Sequence, residues 1–239
     1  MKVSAIIPAA GMGIRMGSNV PKQFLLLDGK TILHHTLSVL DQCSVVAEIV
    51  LVVSGKEIGK AQQQIQDSYP KVTKVVAGGK ERQDSVYNGL QNLDSETDIV
   101  VVHDGVRPFV SVDIIHETVE AARDFGAAIT AIPVSDTIKK VNEEGLVERT
   151  VDRSGLWRVQ TPQTFQVSLL KEAYAKAQAD NFYGTDEGSL IEHLGREVKV
   201  IPGSELNIKI TRSEDLVLGE KIVELLKARQ PKAQAENLS

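Results

Sequence analysis

Six largely apolar, β-rich runs recur along the chain, at 3–7, 49–53, 72–76, 99–102, 127–132 and 198–201. Each is strand-sized. Continuous apolar strands of this kind are expected where helices cover both faces of a parallel sheet. Between them lie stripes with helical spacing: Leu33, Leu37 and Leu40 behind a Thr31 cap, Val86, Leu90 and Leu93 behind Glu81, and Ile115, Val119 and Ala122 behind Ser111. This alternation predicts an α/β fold with a doubly wound, mostly parallel sheet. Ligands of such sheets bind beyond the carboxyl ends of the strands, so chemistry is expected in the turns after Ile7, Val76 and Val102.

Residues 136–152 break the pattern, reading as strand, turn and strand, with Asn142-Glu143-Glu144-Gly145 as the turn. An isolated hairpin is marginal in water, so this arm is expected to pack against a second copy of the chain through a two-fold axis. The remainder of 1–239 reads as one domain, with a polar tail at 228–239 that is expected to fray.

Lys and Arg total 27 against 32 Asp and Glu, a net charge of −5 that offers no long-range attraction to nucleic acid or anionic lipid. Any anionic ligand must be held by local cations. The single cysteine, Cys43, has no disulfide partner within the chain and no metal-ligand spacing around it, and is expected to be a buried thiol. No run is long and apolar enough to span a bilayer, and 1–8 lacks the leader of a signal peptide, so a cytoplasmic protein is expected.

The sharpest motif follows the first strand: Pro8-Ala9-Ala10-Gly11-Met12-Gly13-Ile14-Arg15-Met16-Gly17, running on to Pro21-Lys22-Gln23-Phe24. Small residues there let backbone N–H groups approach phosphate oxygens. A dinucleotide fingerprint is excluded, because Met16 takes the third small position, and so is a Walker A loop, because no Gly-Lys-Ser/Thr follows. Arg15 and Lys22 supply the positive charge that a reaction at phosphorus needs. A second strand-end turn, Gly78-Gly79-Lys80-Glu81-Arg82-Gln83-Asp84-Ser85, offers backbone and the Ser85 hydroxyl to a nucleobase. The third, Val102-His103-Asp104-Gly105-Val106-Arg107-Pro108, carries one carboxylate and one guanidinium. Mg2+ typically takes one or two carboxylates and completes its shell with water and phosphate, so Asp104 can anchor it while Arg107 holds a second substrate. His103 reads as structural, and no His/Cys cluster suggests zinc.

Together these segments resemble the 2-C-methyl-D-erythritol 4-phosphate cytidylyltransferase family. The likeness continues through Asp136-Thr137-Ile138-Lys139, Thr150-Val151-Asp152-Arg153-Ser154-Gly155-Leu156-Trp157, Thr161-Pro162-Gln163, Thr185-Asp186-Glu187 and Asn207-Ile208-Lys209-Ile210-Thr211. It implies a Rossmann-like homodimer whose arm reaches into the partner, and an Mg2+-dependent transfer of CMP from CTP to the phosphorylated polyol. It also implies roles. Ala9, Ala10, Gly11, Gly79 and Ser85 would hold CTP, and Arg15 and Lys22 would stabilise the pentavalent phosphorus. Asp104 would ligate the metal near the sugar phosphate, with Arg107, Thr137, Thr161 and Thr185 binding that substrate. Arg153 and Lys209 would position the attacking phosphate, and Thr137 and Arg153 would come from the other subunit. The chain departs from the family in carrying Gly105-Val106 where Ala-Ala or Ala-Val is common, and Lys80 where an acidic residue often stands. Two other readings remain at this stage: a ribitol 5-phosphate cytidylyltransferase on the same scaffold, and a nucleotide-binding module without catalysis.

Overall fold

The computed structural model describes residues 1–11, 21–66 and 68–229. In chain order the elements are β1 (Val3–Pro8), a small hairpin of β2 (Leu26–Leu27) and β3 (Lys30–Thr31), α1 (Ile32–Gln42), β4 (Glu48–Val53), the short α2 (Ile58–Ala61), β5 (Val72–Ala77), α3 (Arg82–Gln91) and β6 (Ile99–Val102). They continue with α4 (Val112–Phe125), β7 (Ala127–Pro133), an arm of β8 (Ile138–Val141) and β9 (Val147–Val151), then β10 (Trp157–Gln166), α5 (Val167–Ala179), α6 (Glu187–His193), β11 (Lys199–Pro202) and α7 (Ser213–Arg229).

Among the described residues the sheet has seven strands in the order β11-β7-β10-β6-β1-β4-β5. The six apolar runs form its parallel framework, and β10 runs antiparallel between β6 and β7. β10 is the strand that hydrophobic patterning misses. Its sequence, WRVQTPQTFQ, is polar, yet Gln160, Thr161, Gln163 and Thr164 are buried. Each polar side chain finds a hydrogen-bond partner, as buried polar groups must: Thr164 donates to Thr118 at 3.0 Å, and Gln163 donates to Asp186 at 2.7 Å.

Alternation along the central strands divides the core between the two faces. Ala5 and Ile7 of β1 and Ile99 and Val101 of β6 pack with Leu33, Leu37 and Leu40 of α1 and Ile115 and Val119 of α4. Ile6, Val100 and Val102 point the other way, against α3, α5 and α6. At ~1.5–3 kcal/mol for each large side chain fully removed from water, this burial holds helices against both faces of the sheet. The caps hold as expected: Thr31 Oγ1 accepts from His34 N–H and Ser111 Oγ from Ile114 N–H. Leu93 lies just beyond α3 rather than within it, though still packed against the second face. Cys43 is buried. Residues 228 and 229 complete the last turn of α7, while 230–239 lie outside the described residues.

The arm leaves the sheet after β7 and returns at β10. Asn142 Oδ1 accepts from the N–H groups of Glu144 and Leu146, and Gly145 turns the chain at φ +81°, a conformation that favours glycine.

Candidate active site

The chain reverses its direction of winding at β1, with β4 and β5 on one side and β6 on the other, so the site opens beyond the ends of these strands. Backbone ties hold the loops there. Ala9 N–H donates to Val52 C=O at 2.7 Å, Gly78 N–H to Val53 C=O at 2.8 Å and Gly105 N–H to Pro8 C=O at 3.2 Å. The buried Gln23 amide donates to Ala9 C=O at 2.6 Å and pins the start of the small-residue loop.

The second turn is drawn against the first so closely that a Cβ on Gly78 would lie 2.4 Å from Ala10 Cβ. Only glycine permits that approach. Ser85 Oγ accepts from Gly79 N–H at 3.1 Å and donates to Glu81 C=O at 3.0 Å, so its hydroxyl shapes the turn that caps α3. Glu81 and Asp84 form a reciprocal capping box. Ala9, Ala10, Gly11, Lys22, Gly79 and Ser85 line one cleft of about 190 Å³, which Lys80, Arg82, Asp104 and Lys209 also border. Arg15 lies outside the described residues.

Asp104, at the end of β6, is the hub. Its Oδ1 accepts from Arg82 Nε at 3.0 Å, its Oδ2 from Lys209 Nζ at 2.7 Å, and Arg107 Nε stands 3.7 Å from Oδ2. Burial works against ionisation, but the three cations prevail and hold the carboxyl well below the usual carboxylate range. Lys209 reaches it because Ile210, fully buried under α7, anchors the preceding strap through its N–H to Val106 C=O at 2.9 Å. Arg107 is fixed by donating from Nη1 to Asn207 C=O at 2.7 Å.

His103 is tied into the protein through both ring nitrogens. Thr161 Oγ1 accepts from Asp104 N–H at 3.0 Å, so its one hydrogen points to His103 Nδ1, also at 3.0 Å. His103 Nε2–H in turn donates to Arg107 C=O at 3.0 Å. This chain consumes both ring nitrogens, and burial pushes the imidazole down to about 4, leaving it neutral.

A second cleft, of about 370 Å³, is lined by Arg107, Thr161, Thr185 and residues of β10 and α6. It shares Arg82, Asp104 and Lys209 with the first, so two anion-sized spaces meet at one carboxylate and its cations. Thr137 and Arg153 border neither cleft of their own chain. Both are exposed at the base of the arm, where Arg153 donates to Ser135 C=O. Sequence reasoning quoted Arg82 and Glu187 without assigning them a role. Arg82 binds both Asp104 and Glu187, donating from Nη1 to the latter's two oxygens at 2.9 and 2.8 Å. The signal available was a guanidinium one helix cap away from the glycine pair.

The sequence profile of the 2-C-methyl-D-erythritol 4-phosphate cytidylyltransferase family (IspD) matches residues 3–225. The chain belongs to this family. A relative of that name from Syntrophus aciditrophicus is 48% identical over 221 residues, covering 92% of this chain and 94% of its own. Another, from Geobacillus thermodenitrificans, is 49% identical over 227 residues, covering 93% and 97%. The crystal structure of 4-diphosphocytidyl-2C-methyl-D-erythritol synthase from Anaerococcus prevotii superposes with a TM-score of 0.82 at 33% identity, over 93% of this chain and 98% of that one. The chain is therefore a cytidylyltransferase, and the reaction of its family joins CTP and 2-C-methyl-D-erythritol 4-phosphate into 4-diphosphocytidyl-2-C-methyl-D-erythritol.

Proposed function

We propose that the two clefts hold the two polyanionic substrates side by side and that transfer is direct. The observation that carries this reading is the shared border of Arg82, Asp104 and Lys209. CTP lies against Ala9, Ala10, Gly11, Gly79 and Ser85, with Arg15 and Lys22 on its phosphates. The polyol phosphate lies in the second cleft against Arg107, Thr161 and Thr185, with Lys209 steering its phosphate. A phosphate oxygen of methylerythritol phosphate attacks the α-phosphorus. The bond from that phosphorus to the bridging oxygen breaks, and pyrophosphate departs with the electron pair. A phosphate monoester loses its second proton near pH ~6, so the nucleophile needs no base. Positioning and neutralisation of charge supply the catalysis.

The donor set fits Mg2+. Among the described residues there is no cluster of three His, Cys, Asp or Glu side chains that could hold a metal, but Mg2+ needs only one or two carboxylates beside substrate phosphates. Asp104 would hold it, with Lys209, whose side chain is 35% exposed on a flexible stem, free to swing from the carboxylate to phosphate. When bound, the ion neutralises charge on the triphosphate.

The arm supports a homodimer. Val141, Leu146, Val147, Leu156 and Trp157 are large, apolar and exposed, and covering them with a second copy would bring that copy's Thr137 and Arg153 to the polyol phosphate. No helix among the described residues is long and apolar enough to cross a membrane, and water-borne substrates suit a cytoplasmic enzyme. The test is pyrophosphate release from CTP with methylerythritol phosphate and ribitol 5-phosphate offered in parallel. Release that strongly favours methylerythritol phosphate is expected. A preference for ribitol phosphate, or CTP binding without release, would overturn the reading.

A further inference from the structure

Glu187 is a buried carboxylate that borders neither substrate cleft, yet it is held in a defined place. It begins α6, its side chain is 1% exposed, and both its oxygens accept from Arg82 Nη1. Tyr174 O–H lies 3.4 Å from Oε1 and 3.2 Å from Gln83 C=O. Burial pushes the Glu187 carboxyl up against the pull of the guanidinium, while the two flanking carboxylates strengthen the hold of Arg82 on its proton. Replacing a buried ion pair with well-packed apolar side chains often leaves stability unchanged or raises it, so stability alone is a weak reason for this one.

Geometry supplies a better reason. Arg82 touches Asp104 through a single N–H, from Nε to Oδ1, and one hydrogen bond leaves a long side chain free to pivot. Fastening its other end to Glu187 removes that freedom. The guanidinium then stands where the two clefts meet and sets the position of the carboxylate that both substrates approach. We propose that Glu187 is a positioning residue for cytidylyl transfer, acting through Arg82 to hold Asp104 at the junction of the clefts. The inference rests on the reading of Asp104 as the reaction's hub.

The test compares Glu187→Gln, which keeps shape and loses charge, with Glu187→Asp, which keeps charge and draws the guanidinium back by about one bond length. Small displacements of catalytic groups can cost ~100-fold, so kcat is expected to fall at least ~10-fold in both, with KM for CTP within ~3-fold of the parent. In an Arg82→Met background, adding Glu187→Gln should change kcat less than ~2-fold, because the path through Arg82 is already cut. Rates are read at a temperature where circular dichroism shows each variant folded. Should the Gln variant not fold, the Asp variant decides. Parent-like kcat in Glu187→Asp, or losses that multiply in the double variant, would overturn the proposal. Asp104→Asn separates the two readings. If it is inactive while the Glu187 variants match the parent, only this inference fails, whereas parent-like turnover in Asp104→Asn removes the hub itself.

Discussion

Acidification is expected to weaken this protein well above the pH at which its carboxylates titrate, and His103 is the cause. The imidazole is fully buried and pushed from its ordinary value of 6.5 down to about 4. The folded chain therefore takes up fewer protons than the unfolded chain between these values. For a group depressed in this way the contribution is complete above 6.5 and is lost as pH falls towards 4. At ~1.4 kcal/mol per tenfold difference in proton affinity, about 2 kcal/mol disappears between pH 7 and pH 5, and about 3 kcal/mol by pH 4. Asp104 acts in a separate window, because its contribution is present above the ordinary 3.8 and is lost only as pH drops through and below it. Urea unfolding at pH 7, 6 and 5, for the parent and for His103→Gln, isolates the effect, since every other group is common to both. The variant should be less stable at pH 7 but lose about 2 kcal/mol less than the parent on going to pH 5. Parallel stability curves, or an imidazole proton resonance titrating near 6.5, would refute the reasoning.

Two further outcomes follow from the same geometry. The rate constant kcat/KM for methylerythritol phosphate should rise through the substrate's second pKa near ~6 and then stay level to above pH ~8, with no inflection that moves when His103 is replaced. In the arm and at the start of β10 beside it, Val147→Glu or Trp157→Glu should shift the protein to a monomer in light scattering. The same variants should cut turnover at least ~10-fold if the partner copy completes the site, while a dimer with parent turnover would remove that role.

The parallel framework was legible because its central strands, β1, β4, β6 and β7, are covered on both faces and largely apolar, whereas the edge strands β5 and β11 carry polar residues such as Lys74 and Lys199 and are recognised only by their spacing between helices. β10 was not legible, since its Gln and Thr residues are compatible with burial only once His103, Thr118, Asp186 and Ser204 stand opposite them. The strand-end loops read as candidate phosphate-binding turns from their small residues and cations, and the structure gathers them around one cleft. Lys209 was named through resemblance, not pattern, because what places it over Asp104 is the burial of its neighbour Ile210. The partnership of Arg82 with Glu187 spans 105 positions, and no local signal announces a pair so far apart in the chain.

The central claim is that cations gathered around one carboxylate carry the transfer, and Lys209 tests it most directly. Pre-steady-state pyrophosphate release is measured for Lys209→Ala with saturating CTP and methylerythritol phosphate. The account predicts a transfer step slowed at least ~100-fold, with CTP affinity within a few-fold of the parent, read at a temperature where circular dichroism shows the variant folded, since loss of a partner to the buried Asp104 lowers stability. A transfer step at the parent's rate would contradict it.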